Sequence, residues 1–217
     1  MIYNKDGAIP RPYLLGKYLE VIMERKEKKR DVKSRIVSAA WQLFYEKGYN
    51  GTTVDDIIAL SETSKGSFYY YFSSKDELLN TLADVLDNHY EELEERMDPK
   101  MDCYDKLLFI NYEMHCMMEE TIDIELLASL YASQLLTTGG SSLLNQNRKY
   151  YKLVTKIIED GQKLGQIRSD IPVSAITKYY SMCERALVSD WCMSKGAYSL
   201  GEYSKECMPM MLKGFLP

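Results

Sequence analysis

Residues 52–79 read TTVDDIIALSETSKGSFYYYFSSKDELL, and this stretch decides the fold. Thr53-Val54-Asp55-Asp56 fits a capping box, in which the Thr53 oxygen accepts from first-turn amides and Asp56 reaches back. Val54, Ile57 and Ile58 then recur at helical spacing. Ser61-Glu62-Thr63 interrupts the pattern, and Ser64 is placed to cap a second helix. In that helix Phe68 and Phe72 lie four apart and share a face. Its other face carries Lys65, Ser67, Tyr69, Tyr70 and Tyr71. Ser74-Lys75-Asp76-Glu77 reads as another capping box, opening a third helix. A short helix, a polar turn and a short helix with a polar-aromatic outer face is the sequence pattern of a helix-turn-helix.

Working outward, residues 31–47 form a first helix, with Ile36, Ala40, Leu43 and Phe44 at three- and four-residue steps and Val37 and Trp41 widening the stripe. Gly48 is a natural stop. On the other side, residues 75–97 read as one long helix. Leu78, Leu82, Val85, Leu86, His89 and Leu93 lie along one face, Glu91, Glu92, Glu94 and Glu95 mark a solvated side, and Asp98-Pro99 ends it. Residues 102–119, 122–136, 142–164, 173–195 and 200–214 are further helical segments, with a Gly/Ser/Thr break at 137–142. No segment alternates as a strand would, so the expected class is all-α. The domains expected are an extension with a basic arm (1–30), a helix-turn-helix head (31–79) and a larger helical body (80–217).

The run SKGSFYYYFSSKDELL resembles the signature of the TetR (tetracycline-repressor) family of bacterial transcriptional regulators. It shares the Ser-Lys-Gly opening, an aromatic pair near Tyr70, a Phe closing the helix, and Ser-Lys-acid-acid-Leu beginning the next. The likeness runs through residues 34–79. Glu62 departs from it, standing where many members have Gly in the turn. The segment GQKLGQIRSDIP (161–172) also resembles the loop the family often places before its last two helices. The resemblance implies a dimeric regulator, most often a repressor, whose heads bind a pseudo-palindromic operator and whose body binds a small-molecule effector.

Residue chemistry agrees with that expectation. Lys65, Gly66, Ser67 and Tyr69 are placed to meet base edges in the major groove, where lysine donates to guanine O6 and N7 and glycine lets the backbone come close. Thr53, Ser64, Tyr70, Tyr71 and Lys75 suit phosphates, and Thr53 and Lys75 also lie at helix N-termini that favour anions. The resemblance supports Thr53, Tyr70 and Lys75 most clearly, and Tyr71 stands where many members carry His. Lys26, Lys28, Lys29 and Arg30 make a possible DNA-contacting arm. Three consecutive tyrosines would be a poor solvated face, because they leave apolar area in water.

Formal net charge is −5, yet residues 1–80 hold 13 basic and 11 acidic side chains, against 14 and 21 in residues 81–217. A basic head on an acidic body suits DNA at one end. At 217 residues and 46% hydrophobic, the chain can bury a substantial core.

The body is rich in adaptable side chains, and Tyr112, Met114, Met117, Met118, Tyr131, Tyr151, Met182 and Trp191 are candidates for an effector pocket. Ile176, Tyr180, Cys183 and Leu187 form a stripe suited to a four-helix dimer interface built from residues 173–195 and 200–214 of each chain. Five cysteines are spread singly and neither histidine has partners at ligand spacing, so no metal and no cofactor are expected. Neither a membrane span nor a signal peptide is legible, which leads us to expect a cytoplasmic protein. Enzyme motifs such as G-x-S-x-G, the P-loop and H-E-x-x-H are absent. A helical small-molecule-binding protein or enzyme without DNA binding would leave the tyrosine-rich helix unexplained, and a helical adaptor binding protein through residues 64–72 would not account together for the Ser-Lys-Gly opening, the capping boxes and the aromatic helix.

Overall fold

The computed structural model describes residues 31–136 and 142–217, so the segment carrying Lys26, Lys28, Lys29 and Arg30 lies outside the described residues. Every regular element among the described residues is helical. In order these are α1 (Val32–Lys47), α2 (Val54–Leu60), α3 (Lys65–Tyr71), α4 (Lys75–Leu79), α5 (Thr81–Arg96), α6 (Cys103–Thr121), α7 (Ile124–Leu136), α8 (Lys149–Lys163), α9 (Val173–Met193) and α10 (Leu200–Leu212), with 3-10 turns at Ser142–Leu144 and Lys213–Phe215.

The chain forms two compact units. The first holds the described residues up to Val85 together with Glu120–Leu143, and the second holds Leu86–Glu119 and Leu144–Pro217. The division expected at 79/80 thus falls within α5, and α7 groups with the head.

In the first unit, Ile36, Ala40, Leu43 and Phe44 of α1 are buried with Ile57, Phe68 and Phe72. Asp31 caps α1, and Gly48 ends it at φ +73°, where a side chain would be strained. Trp41 and Phe44 meet edge-on at 6.0 Å, and Phe44 meets Tyr49 at 5.1 Å. The Trp41 indole N–H donates to Thr81 Oγ1 at 2.8 Å, fixing the first residue of α5 to α1.

The single helix expected over 75–97 is divided at Asn80. Thr81 turns its hydroxyl back onto the Leu78 carbonyl at 2.6 Å, and the Asn80 and Ala83 amides bond three residues back instead of four. The Asn80 side chain accepts from Gln134 on α7 and from Ser142. The helix expected from 142 begins instead at Lys149, because Asn145–Asn147 form a turn closed by the Asn145 side chain and carbonyl.

The second unit packs α8 on α9 and α9 on α10. Tyr150, Tyr151, Leu153, Val154, Ile157 and Ile158 make the inward stripe of α8. Gly201 lets the first turn of α10 close on α6: a Cβ there would lie 2.4 Å from the Cys116 sulfur. Glu119 caps that turn, accepting from the Ser199 hydroxyl and the Gly201 amide. No described helix is long and apolar enough to cross a membrane.

Candidate nucleic-acid interface and body sites

The predicted capping box at Thr53 forms in full. Thr53 Oγ1 accepts from the Asp56 amide at 3.1 Å, while Asp56 Oδ2 accepts from the Thr53 amide at 2.9 Å and from its hydroxyl at 2.6 Å. Those bonds and the Lys47 ammonium at 3.1 Å hold the Asp56 carboxyl down at about 2. Ser64 caps α3, its oxygen accepting from the Ser67 amide at 3.0 Å. The box expected at Ser74 does not form. Ser74 makes no side-chain cap, and Glu77 instead accepts from the amide and hydroxyl of Ser73.

Between α2 and α3 the turn residue Glu62 adopts φ +51°, the left-handed region that glycine takes at little cost. Three contacts hold it: the Thr63 amide donates to Ile58 O at 3.2 Å, Ser61 and Thr63 share a hydroxyl bond at 2.8 Å, and Arg35 donates to the Glu62 carbonyl at 3.4 Å. Arg35 carried no signal in the sequence, because its acceptor is a backbone atom 27 residues away.

Buried Phe68 anchors α3, which leaves the polar-aromatic face outward. Tyr69 is 50% exposed and Tyr70 81% exposed. The rings of Tyr70 and Tyr71 meet edge-on at 4.9 Å, and Tyr71 turns its hydroxyl towards Asp31 at 3.4 Å. Burial and the Asp31 charge raise the Tyr71 hydroxyl above its ordinary range. Lys65 and Gly66 are exposed and Ser67 is half-buried. Lys65 stands 3.8 Å from Asp55, with both side chains largely in water. Such a pair contributes little, so the ammonium can exchange it for another acceptor.

Lys75 is placed otherwise than a purely outward-facing side chain would be. Its ammonium donates to the carbonyls of Tyr49 at 2.7 Å and Thr52 at 2.8 Å, and lies 4.1 Å from the centre of the Tyr49 ring. Partial burial lowers its pKa. The Tyr49 hydroxyl donates to Asp76, so α4 is bolted at two adjacent residues to the loop entering α2. One ammonium hydrogen of Lys75 remains for an outside acceptor.

The candidates in the body are divided by the structure. Met114, Met117, Met118, Tyr151 and Trp191 are buried in the second unit, and Trp191 donates its indole N–H to Tyr198 O at 2.9 Å. Tyr112 is bonded to Glu202 at 3.0 Å. Tyr131 belongs to the first unit, apart from the others. Met182 is 52% exposed and faces outward. The dimer stripe requires correction. Ile176, Tyr180, Cys183 and Leu187 are all buried within their own chain, because the Tyr180 hydroxyl reaches the Leu107 carbonyl at 2.8 Å and the stripe fills the unit's core. The outward apolar face of the last two helices is instead Tyr179, Met182, Met193, Tyr203 and Met210.

Sequence reasoning missed a buried polar chain. Glu184 accepts from Asn111 Nδ2 at 3.2 Å and from the Tyr150 hydroxyl, and burial lifts its carboxyl to about 6. Asn111 also faces His115 Nε2 at 3.5 Å, and His115 Nδ1 bonds Ser204. Ser204 donates its hydroxyl to Leu200 O at 2.7 Å, so its oxygen accepts and His115 carries the proton on Nδ1. Burial pushes the His115 pKa down to about 3, leaving a neutral ring. Asn111 and Glu184 stand 73 residues apart, and no spacing rule links them. Among the described residues, no group of three or more His, Cys, Asp or Glu side chains is arranged to hold a metal ion.

Comparison with known proteins agrees with this geometry. Residues 36–82 match the family described as bacterial regulatory proteins, tetR family, and residues 82–214 match the C-terminal region of YsiA-like proteins. A helix-turn-helix-type transcriptional regulator from the lacX 3′ region of Lactococcus lactis subsp. lactis is 52% identical over 60 residues, which is 28% of this chain and 29% of that protein. The regulator QacR of Staphylococcus aureus is 25% identical over 138 residues, 63% of this chain and 73% of its own. The fold resembles that of Bacillus subtilis FadR in complex with stearoyl-CoA, with a TM-score of 0.60 and 21% identity over 83% of this chain and 98% of that one.

Proposed function

The chain belongs to the TetR family of bacterial regulatory proteins, and from that premise we propose that it is a dimeric repressor released from a pseudo-palindromic operator by a small-molecule effector. The observation that carries the DNA reading is α3 itself. Phe68 is buried in the head's core and Ser64 caps the first turn, while Lys65, Gly66, Tyr69 and Tyr70 stand exposed and Ser67 half-buried on its first two turns. An α-helix fits the major groove, and a lysine at its first turn can read guanine. Tyr69 joins Lys65, Gly66 and Ser67 at base edges. Tyr70 and the one remaining Lys75 hydrogen face phosphates. Thr53 and Tyr71 already direct their hydroxyl hydrogens to Asp56 and Asp31, and would have to turn them outward to meet a phosphate.

Two such heads read half-sites roughly 34–36 Å apart. The outward face of α9 and α10 supplies the dimer contact, since its apolar side chains are left in water by the single chain. Stearoyl-CoA, named in the complex of the FadR neighbour, makes long-chain acyl thioesters the first effectors to screen.

The test is selection of duplexes from a random pool by the purified protein, followed by gel shift on the enriched sequence. Enrichment of an inverted repeat bound by two protomers supports the proposal. Failure to enrich any sequence at moderate salt overturns it.

A further inference from the structure

We propose that Asp87 is a positioning residue through which the second unit sets the DNA affinity of the head. The inference rests on the regulator reading above, and it names the contact on which regulation would act.

Helix α5 starts in one unit and ends in the other. Its first residue, Thr81, is held by Trp41 in the head. Six residues on, Asp87 makes the first strong polar contact of α5 within the second unit. One carboxylate oxygen accepts from Arg148 Nε at 3.0 Å and Nη2 at 2.7 Å, and the other accepts from the Lys149 amide at 3.2 Å. The Arg148 side chain is 9% exposed and that of Asp87 16%. Arg148 is the N-cap residue of α8 but caps nothing with its own side chain. Asp87 therefore supplies both the counter-charge for a buried guanidinium and the cap for the first turn of α8.

The next residue along α8 carries the contact inward. The Tyr150 ring lies 5.0 Å from that of Tyr90 on α5, and its hydroxyl donates to Glu184 on α9. One turn of α8 thus holds α5 through Arg148 and Tyr150 and holds the buried Glu184–Asn111–His115 chain through Tyr150. An effector that displaces Tyr150 or Glu184 alters what α8 presents to Asp87. The outer pairs, Glu91–Lys149, Glu94–Lys156 and Arg96–Glu113, continue the contact along α5 but are more exposed and screened by salt.

The experiment uses the full chain and the duplex that the wild type itself selects. Operator affinity is measured by fluorescence anisotropy for wild type, Asp87→Asn, Arg148→Gln and the double variant, with the active fraction fixed by stoichiometric titration. We expect the two single variants to shift operator Kd in the same direction by about threefold to thirtyfold, and the double variant to shift it no further. The slope of log K against log salt stays at the wild-type value, because neither residue touches phosphate. Glu94→Gln, which breaks an outer pair, leaves Kd within about twofold.

Wild-type Kd in both single variants, additive shifts in the double, or a changed salt slope would overturn the proposal. A merely structural role would lower the active fraction or the melting temperature and leave the Kd of the active molecules unchanged. If Asp87→Asn does not fold, Arg148→Lys keeps the charge without the two-nitrogen contact and is expected to shift Kd in the same direction, less far; an unchanged Kd there also refutes the inference. Should the wild type select no duplex, the regulator reading fails first and takes this one with it.

Discussion

Glu184→Gln tests the buried polar chain by a difference in pH dependence. Burial lifts the Glu184 carboxyl from 4.5 to about 6, so the folded state resists its ionisation more than the unfolded chain does. The associated stability is fully present below pH 4.5 and is lost as pH rises through about 6. The shift of about 1.5 units is worth about 2 kcal/mol at 1.36 kcal/mol per unit. His115 acts in the opposite sense. Its neutral ring contributes stability that is present above pH 6.5 and falls away towards pH 3. Both proteins share His115, so its contribution cancels when they are subtracted. Glutamine keeps the shape of Glu184 and an oxygen for Asn111, removes the titration, and turns an NH2 towards the Tyr150 hydroxyl, a change that does not vary with pH over this range. Urea denaturation of both proteins from about pH 4.5 to 7.5 at constant ionic strength reads the effect. The stability of the Glu184→Gln variant relative to wild type is expected to climb by about 2 kcal/mol over that range, roughly 4–8 °C in Tm. A difference flat to within about 0.5 kcal/mol would refute the claim that burial of the Glu184 carboxyl outweighs its hydrogen bonds.

Four further outcomes follow from the geometry. Lys65→Ala is expected to weaken binding of the selected duplex by about 1–3 kcal/mol and to relax preference at one base position, whereas Tyr70→Ala should weaken it evenly across sequences; parallel anisotropy titrations on single-base variants separate the two. Glu62→Gly relieves the left-handed turn and should stabilise the chain by about 0.5–1 kcal/mol after glycine's entropy is counted, so a loss of stability on denaturation would remove the strain argument. Thr81→Val leaves the Trp41 N–H without its acceptor and should cost about 1–3 kcal/mol, visible as an earlier transition followed by tryptophan fluorescence. Met182→Glu should shift sedimentation towards monomer with little change in chain stability, while Leu187→Ala should cost about 2–5 kcal/mol through its cavity; the reverse pattern would restore the inward stripe as the interface.

The head was largely legible because its polar contacts are local. Thr53 with Asp56 and Ser64 with Ser67 are three residues apart, and capping rules anticipate such pairs. Gly48 at the end of α1 and Phe68 at the centre of the head's core follow from position alone. What escaped were contacts whose partner is a backbone atom or lies far along the chain: Arg35 on the Glu62 carbonyl, Lys75 on the carbonyls of Tyr49 and Thr52, and Asp87 on Arg148. The division at Asn80 escaped for a related reason. Apolar spacing through Leu78, Leu82 and Val85 is unbroken, and only the Thr81 hydroxyl, once fixed by Trp41, takes over the Leu78 carbonyl.

The reversed faces of α9 show which physical term periodicity leaves out. Ile176, Tyr180, Cys183 and Leu187 form one apolar stripe; Ala175, Tyr179, Met182 and Ala186 form a second, rotated by about one residue. The number of apolar side chains does not separate them, since each offers four that are aliphatic, aromatic or sulfur-bearing. Polar satisfaction does. Turned inward, the first stripe brings the Tyr180 hydroxyl to the Leu107 carbonyl and Glu184 to Asn111 and Tyr150, so each of these buried polar groups has a partner. With the second stripe inward, Glu184 would turn towards solvent, and Asn111 and Tyr150 would lose the acceptor that α9 provides. The buried acid on an otherwise apolar stripe therefore selects the inward face. The side chains left outside, Tyr179 and Met182, are those whose polar atoms lie near solvent or are absent. A carboxylate four residues from a buried tyrosine, opposite an asparagine on a neighbouring helix, is a stronger guide to which face is the core than the apolar count of either stripe.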